Sequence, residues 1–181
     1  MRLLLPLLTL FTLNSYADEP CYRIRDCIEV ASELSNKDYF YNYSDINKNS
    51  KIVGLEMNEA NVDLLISRLL FTNGYARIPT ENGYQVIPSR NIRNFPVPII
   101  DTQHDKVPNS HDYMMAAISL KHIDAKEINR SFRAFMTPNG RIIPLPYAAR
   151  ILIMDTATNI RRLQSLIKQV DIPKNKSKRK G

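Results

Sequence analysis

The stretch RILIMDTATNIRRLQSLIKQVDIP, residues 150–173, is a complete strand–helix unit close to the end of the chain. Its apolar segment ILIM is typical of a strand, and the polar corner DTAT follows it. The helix NIRRLQSLIKQV carries an apolar face at helical spacing, formed by Ile160, Leu163, Ile167 and Val170. Asp171-Ile172-Pro173 ends this helix, because proline cannot continue one. The stretch therefore predicts a helix packed by one face on a sheet.

The residues before this unit complete a domain that we place at 113–173. MMAAISLKHI predicts a strand at Ala117–Leu120, and the loop TPNG leads into the strand RIIPLP. Asp124 can cap the helix DAKEINRSFRAFM, with Glu127 completing a capping-box-like pair. The expected buried stripe of that helix is Ile128, Phe132 and Phe135. This half of the chain therefore has the order β-α-β-β-α.

The first half, 18–93, also alternates helices with short strands. IRDCIEVASELSN has the apolar spacing of a helix, and DYFYNYSDI has the alternation of a strand, with Tyr39, Tyr41 and Tyr43 on one side. We expect short strands near Cys21–Arg23 and in KIVGLE. Asn58 can cap a second helix, and Gly74 follows its last turn.

A hairpin should close the first half. YARIP and GYQVIP are strand-like, and Asn82-Gly83 between them is a strong turn signal because both residues tolerate positive φ. The whole chain is therefore predicted to be α+β, with two small domains that each pack two helices on a small mixed sheet. Candidate edge strands for partner binding are Tyr39–Tyr43 and Tyr84–Ile87, which include Val86. The tyrosine row can equally pack the core.

Residues 94–112, NFPVPIIDTQHDKVPNSHD, contain three prolines and no sustained periodicity. We interpret them as an inter-domain linker. His104 and His111 stand beside aspartates there, but no further ligands accompany them, so no metal site is predicted. Asp101, Asp105 and Asp112 are expected to be too loosely held for paired-carboxylate chemistry.

The two ends of the chain have distinct compositions. Residues 1–17 combine Arg2, the apolar run Leu3–Leu13 and the small residues of Ser15-Tyr16-Ala17, which is the pattern of a cleaved secretory signal peptide. The tail 174–181, KNKSKRKG, is expected to be disordered, although it could contact an anionic surface. Arg2 and five tail residues account for six of the seven net positive charges, so the body is nearly neutral.

Cys21 and Cys27 are the two cysteines of the chain. In an oxidising compartment they can form a disulfide. Their spacing permits this bridge without requiring it, because the local geometry decides whether it forms.

The sequence lacks the motifs of the common catalytic sites. There is no Gly-rich phosphate loop, no nucleophile elbow and no His-Glu-x-x-His helix, so we predict neither enzyme activity nor a cofactor. The order of the second half is KH-like, but the Gly-x-x-Gly loop of that RNA-binding module is absent. A neutral body and export further argue against a nucleic-acid partner. No later segment is apolar enough to span a membrane.

The ordered elements of both halves resemble the N-terminal periplasmic domains of secretins, the outer-membrane channels of type II secretion and type IV pilus systems. In the second half the resemblance lies in the L-K-x-x-x-A-x-E-I start at Leu120, the segment ILIMDTATNIRRL and the terminal VDIP. In the first half it lies in IRDCIEVASELSNKDYFYNYSDI and in the segment from Met57 to Asn91. It covers roughly residues 22–173 and is closest to the type II secretion subunit.

The resemblance implies a periplasmic scaffold or adaptor without catalysis. Full secretins continue into further ring domains and a membrane-embedded barrel, whereas this sequence stops after two domains, so we do not expect channel activity to carry over. Implied partners are an inner-membrane platform component, a full-length secretin or further copies in a ring. A dedicated short component and a truncated secretin gene product remain open. The alternative is a stand-alone periplasmic module that binds an exported protein or the cell wall.

The signal-peptide pattern predicts that the mature protein begins at Asp18. Periplasmic extract from cells expressing the chain should give an intact mass that lacks residues 1–17, because signal peptidase requires small residues before the cleaved bond. Ala17→Lys should retain the full-length mass. Recovery of the unchanged chain with Met1 intact would contradict the prediction.

Overall fold

A computed structural model describes residues 21–50 and 56–173. The predicted signal peptide, most of the KIVGLE segment and the tail lie outside these residues. Within them, no helix has the length and apolar character needed to cross a membrane. The helices and strands in chain order are α1 (Ile24–Ser35), β1 (Asp38–Tyr41), α2 (Val62–Thr72), β2 (Tyr75–Pro79), β3 (Gly83–Pro88), β4 (Ile99–Asp101), β5 (Tyr113–Ser119), α3 (Ala125–Phe132), β6 (Arg141–Leu145), β7 (Arg150–Thr156) and α4 (Ala157–Val170).

The first domain has a three-stranded mixed sheet in the order β1-β3-β2. β1 runs parallel to β3, and β2 pairs with β3 as an antiparallel hairpin. Helices α1 and α2 bury their apolar stripes against this sheet, and the core that results includes Ile28, Ile66, Leu70, Tyr75 and Val86. The strand expected near Cys21–Arg23 is a single antiparallel bridge from Arg23 to Asn49.

The β2–β3 hairpin was predicted correctly, but for a reason that does not hold. Among the described residues, only Asn36, Ala149 and Gly74 have positive φ, so neither Asn82 nor Gly83 uses the left-handed region. A Cβ atom at Gly83 would instead lie 2.0 Å from the carbonyl oxygen of Asp38. Glycine is needed there because the backbone of Asp38, its partner at the start of β1, leaves no room for a side chain. Gly74 has φ of +83° after α2, where the sequence predicts a left-handed cap.

The second domain has a four-stranded mixed sheet in the order β4-β5-β7-β6. The predicted β-α-β-β-α order corresponds to β5, α3, β6, β7 and α4, and the α+β class is confirmed. The segment 94–112 departs from its description as a linker, because Ile99–Asp101 forms the parallel edge strand β4. Its end is also buried, at Ser110 and Asp112. A three-residue strand between prolines is too short to show periodicity. The exact domain limits remain a prediction.

Two aspartates of the 150–173 stretch, one near each end of α4, accept hydrogen bonds from other parts of the second domain. Asp155 is fully buried and accepts hydrogen bonds from the backbone N–H of Thr137 at 3.0 Å, the Thr137 hydroxyl at 2.7 Å and the Asn159 amide at 2.8 Å. Asp171 accepts three backbone N–H groups, from Lys121, His122 and Ile123, at 2.6 to 3.0 Å. Together these carboxylates tie both ends of α4 to neighbouring loops.

The carboxylate of Asp171 is held in its charged form. Partial burial alone would raise its pKa, but the three N–H groups outweigh burial and lower the pKa of Asp171 below its usual value.

One expectation for α3 is wrong. Phe135 lies in the short 3-10 turn Arg133–Phe135 after the helix and is 43% exposed, so it does not extend the buried stripe of Ile128 and Phe132.

The structure contains the Cys21–Cys27 disulfide that the spacing permits. Cys27 lies on the buried side of the first turn of α1, and Cys21 packs partly buried against the same core. The bridge therefore ties the segment that precedes α1 to the helix itself. Its sequence separation is six residues, so the loop it closes is small.

Reducing this bridge should destabilise the first domain. The loop-entropy relation gives about 2 kcal/mol for a loop of this size, so dithiothreitol should lower the urea midpoint of the oxidised protein. The double variant Cys21→Ala/Cys27→Ala should start at the lower midpoint and not respond to dithiothreitol. Identical midpoints for oxidised and reduced wild type would show that the bridge does not contribute.

Candidate functional site: the domain junction and the exposed sheet edge

Arg77, in the middle of β2, is the most unusual buried side chain of the protein. Its side chain is only 1% exposed, yet it carries a guanidinium with five N–H donors. The preceding Ala76 and following Ile78 are buried and apolar. Leaving such a group unpaired would cost several kcal/mol, so it requires hydrogen-bond acceptors within the protein.

The five donors of Arg77 all have acceptors. Nε and Nη2 donate to the two carboxylate oxygens of Asp112, the Nη2 bond being 3.1 Å long. Nη1 donates to Asp63 Oδ1 at 3.2 Å and to the Tyr39 hydroxyl at 2.9 Å, and Nη2 also donates to the Asp63 carbonyl at 3.1 Å. Tyr84 covers the guanidinium, with Cζ 3.7 Å from the ring centroid.

These partners come from both sides of the junction. Asp63 is on α2 and Tyr39 on β1, whereas Asp112 directly precedes β5 of the second sheet. Burial alone would lower the pKa of Arg77, but the hydrogen bonds and charge of Asp112 raise it. Burial alone would raise the pKa of Asp63, but Tyr84, Arg77 and Lys37 lower it. The network therefore stays charged and joins the two domains.

An apolar cluster lies beside the ion pair. It consists of buried residues from both domains, namely Ala76, Ile78, Ile87, Ile92, Tyr113 and Met154. Two hydrogen bonds flank it: the His111 backbone N–H donates to the Ser67 hydroxyl at 3.0 Å, and the Asn139 amide donates to the Ser89 hydroxyl at 3.0 Å. Because apolar and ionic contacts both cross it, this junction is a packed interface and not a flexible tether.

The ion pair continues to the surface through Lys37. Its ammonium donates to the Tyr84 hydroxyl at 3.0 Å and to Asp63 Oδ2 at 3.2 Å, and the Tyr84 hydroxyl donates to Asp63 Oδ1 at 2.8 Å. Burial, the largest influence, raises the pKa of Tyr84 above its usual value, although Arg77 and Lys37 oppose it. Tyr84 therefore stays neutral and can donate this bond at physiological pH.

The predicted edge-strand residues separate into two groups. β1 lies at the edge of its sheet, with Tyr39 and Tyr41 half-buried against the core and Phe40 on the opposite side, 54% exposed. Tyr43 lies beyond the end of β1 and is 70% exposed, with Arg25 stacked 3.8 Å from its ring centroid. The edge assignment of Tyr84 and Val86 is wrong, because β3 is the central strand, paired on both sides. Apolar periodicity does not show that β1 pairs in parallel with β3, on the side of β3 opposite β2.

The structure also places the two histidines of segment 94–112. His104 lies in the turn after β4, and His111 packs on Phe71 with 5.6 Å between ring centroids. Burial lowers the pKa of His111, aided by the nearby Arg68 charge. In residues 21–50 and 56–173, no three His, Cys, Asp or Glu side chains are grouped closely enough to hold a metal ion.

Sequence reasoning missed the junction. Arg77 lies in the predicted strand YARIP, and Asp112 lies in the predicted linker, where its carboxylate is expected to be loosely held. The available signal was a single cation between Ala76 and Ile78 in an apolar hairpin, since an arginine there must find a buried acceptor. That signal does not identify the acceptor, which lies 35 residues further along the chain.

A comparison with known protein families gives a match in the second domain. Residues 115–176 match the model of the family described as the bacterial type II/III secretion system short domain, Secretin_N. No curated protein matches the chain.

Solved structures that align with this chain include several secretion components. A chain of the Klebsiella pneumoniae type II secretion system outer membrane complex of PulD, PulS and the PulC HR domain aligns at a TM-score of 0.69 with 18% identity, over 87% of this chain and 26% of that one. The N-terminal domain of the Pseudomonas aeruginosa secretin XcpQ aligns at 0.34 with 16% identity, over 85% of this chain and 64% of that one. The V. cholerae type IV competence pilus secretin PilQ aligns at 0.33 with 14% identity, over 84% and 37%. The present chain thus spans about a quarter to two thirds of these structures.

Removing the Arg77 guanidinium should loosen the junction strongly. Arg77→Met leaves Asp112 buried without its counter-ion, which should cost about 3 kcal/mol in the free energy of unfolding measured with urea. Arg68→Met, an exposed arginine on α2, is the matched control and should change it by less than about 0.5 kcal/mol. The added change Asp112→Asn should recover part of the loss. Equal stabilities of Arg77→Met and the control would contradict the role of this pair.

Proposed function

From the premise that this chain carries a secretin N-terminal domain, we propose that it is a non-catalytic, periplasmic scaffold component of a bacterial protein secretion or pilus machine. The family match at residues 115–176 and the shared fold of the Klebsiella complex chain support this role. The observation that carries the proposal is a rigid pair of domains with an unpaired strand at its edge.

The edge of β1 is the proposed docking surface for a partner. β1 is hydrogen-bonded to β3 on one side, and among the described residues no strand pairs with its other side. Such an edge presents backbone N–H and C=O groups to an extended segment of another protein. Phe40 and Tyr43 stand beside it as exposed aromatics, which are the residue types enriched at protein interfaces.

The proposed partners are proteins of the same machine. The Klebsiella complex combines PulD with PulS and the PulC HR domain. By analogy, an inner-membrane platform component, a full-length secretin or further copies of this chain in a ring are the partners that we propose. A ring requires each copy to present two different complementary surfaces. A body made rigid by its junction can present them at a fixed angle.

A pull-down from the native envelope tests this proposal. Tagged mature protein, exported in its host and cross-linked in place, should recover secretion or pilus components that mass spectrometry identifies. Sedimentation of the purified protein should show whether it also forms rings. A monomer that recovers no component of such a machine would overturn the scaffold role, and recovery of cell-wall fragments or one exported protein would favour a stand-alone binding module.

A charge on the β1 edge should weaken this docking. Phe40→Lys places a cation where a partner strand would pair, and charged edges oppose strand addition. We expect about a tenfold lower recovery of partner, with unfolding free energy changed by less than about 0.5 kcal/mol because Phe40 is exposed. The matched control is Tyr147→Lys, at a fully exposed aromatic between β6 and β7. Equal recovery for both variants would exclude the β1 edge.

A further inference from the structure

A second surface, separate from the β1 edge, is a groove rich in arginine. It is a cavity of about 500 Å³ between α3, the 3-10 turn that follows it, β6 and the 3-10 helix Ser89–Asn94 of the first domain. Its arginines are Arg93, Arg133 and Arg141, and its apolar lining includes Met136 and Ile142. Both domains contribute, so the groove depends on the packed junction.

The charge of this groove is unbalanced. No carboxylate is among its lining residues. None of its three arginines forms an ion pair within the part of the chain that the structure describes, where the ion pairs involve Arg23, Lys37, Arg77 and Arg150. Three guanidiniums around one cavity repel each other and present donor forks that match carboxylate geometry. In a body whose net charge is close to neutral, the groove is therefore a local site for an anionic group.

The groove also runs along an unpaired strand. β6 is hydrogen-bonded to β7, and no described strand pairs with its other side. Arg141 and Ile142 are both lining residues and the first two residues of β6. An extended polypeptide can therefore lie along this strand while its side chains enter the groove. A phosphate or a lipid headgroup would contact the arginines without using the edge of the strand.

A hydrogen bond links the two sides of the groove, one from each domain. The Asn139 amide, in the loop before β6, donates to the Ser89 hydroxyl at the start of the 3-10 helix at 3.0 Å. Gly140 follows, and a Cβ atom there would lie 2.4 Å from Asp155 Oδ2. The loop is therefore held against the buried Asp155 on one side and against the first domain on the other. The 3-10 helix that carries Arg93 is thereby held next to the loop that precedes Arg141.

We propose that this groove binds an extended, acidic segment of a partner protein. Side chains of a strand alternate between two faces, so a segment with carboxylates at alternate positions directs them to one side, toward the arginines. The apolar side chains of Met136 and Ile142 offer contacts to an aliphatic residue of the same segment. The proposal goes beyond the scaffold role and does not depend on the β1 edge.

A short synthetic peptide tests the groove directly. The probe is a fluorescein-labelled octapeptide of alternating Glu and Val, titrated with the mature protein by fluorescence anisotropy at low salt. A peptide with Gln in place of Glu should bind at least about tenfold more weakly, because charge-assisted hydrogen bonds are about twice as strong as neutral ones. Binding of the Glu peptide should weaken as salt is raised.

Arginine variants locate the binding. Arg133→Glu/Arg141→Glu should weaken binding of the Glu peptide by about tenfold or more, since it replaces two attractive charges by repulsive ones. Arg68→Glu/Lys168→Glu carries the same change of net charge at two exposed positions outside the groove and should retain most of the affinity. Both double variants are checked for folding by circular dichroism and urea unfolding before the titration.

Several outcomes would overturn the proposal. These are equal affinity for the Glu and Gln peptides, equal losses in both double variants, and no saturable binding below about 1 mM. Self-association that the groove variant alone abolishes would assign the groove to a second copy of the chain. Stronger, arginine-dependent binding to phosphatidylglycerol vesicles would assign it to a lipid surface. Because Phe40→Lys leaves the groove intact, loss of machine partners in that variant with unchanged peptide binding separates the two proposals.

Discussion

The structure depends most on the need to satisfy one buried guanidinium. Arg77 brings five N–H donors into the junction, and neither domain alone supplies enough acceptors, since Asp63 and Tyr39 are on one side and Asp112 on the other. Separating the domains would leave Arg77 without its main counter-ion. Because Ala76 and Ile78 join the shared apolar cluster while Arg77 reaches Asp112, the second domain lies along β2 and contacts residues of both its faces.

The sequence predicted the elements with regular periodicity. Helices α1, α2 and α4 and the strands of the β2–β3 hairpin follow from apolar spacing, because these elements pack one face against a core. The resemblance to secretin N-terminal domains rested on the same ordered elements. The family model matches residues 115–176, and a chain of the Klebsiella complex shares the fold over 87% of this chain. From the sequence, Asp155 is predicted only to lie in a polar corner, and Asp171 only to lie at the end of a helix. In the structure, Asp155 and Asp171 are the groups that hold α4 to the loops around it.

The remaining features could not be predicted because they depend on contacts distant in sequence. The strand β4 is three residues long and pairs in parallel with β5, so no local alternation marks it. The partner of Arg77 follows a proline-rich segment that is typical of a linker. The edge position of Tyr84 was mistaken because β1 joins the sheet in parallel beside β3, and a parallel pairing leaves no turn signal between the strands.

The junction also decides which surfaces remain for assembly. Two small sheets have four edge strands, and the second domain lies along one of them, β2. β4 is only three residues long, and it carries Asp101 in an ion pair with Arg150, which limits strand addition there. The longer edges are β1, flanked by exposed aromatics, and β6, flanked by arginines. The two proposed docking surfaces therefore differ in chemistry, and the packed junction keeps them at fixed positions on one body.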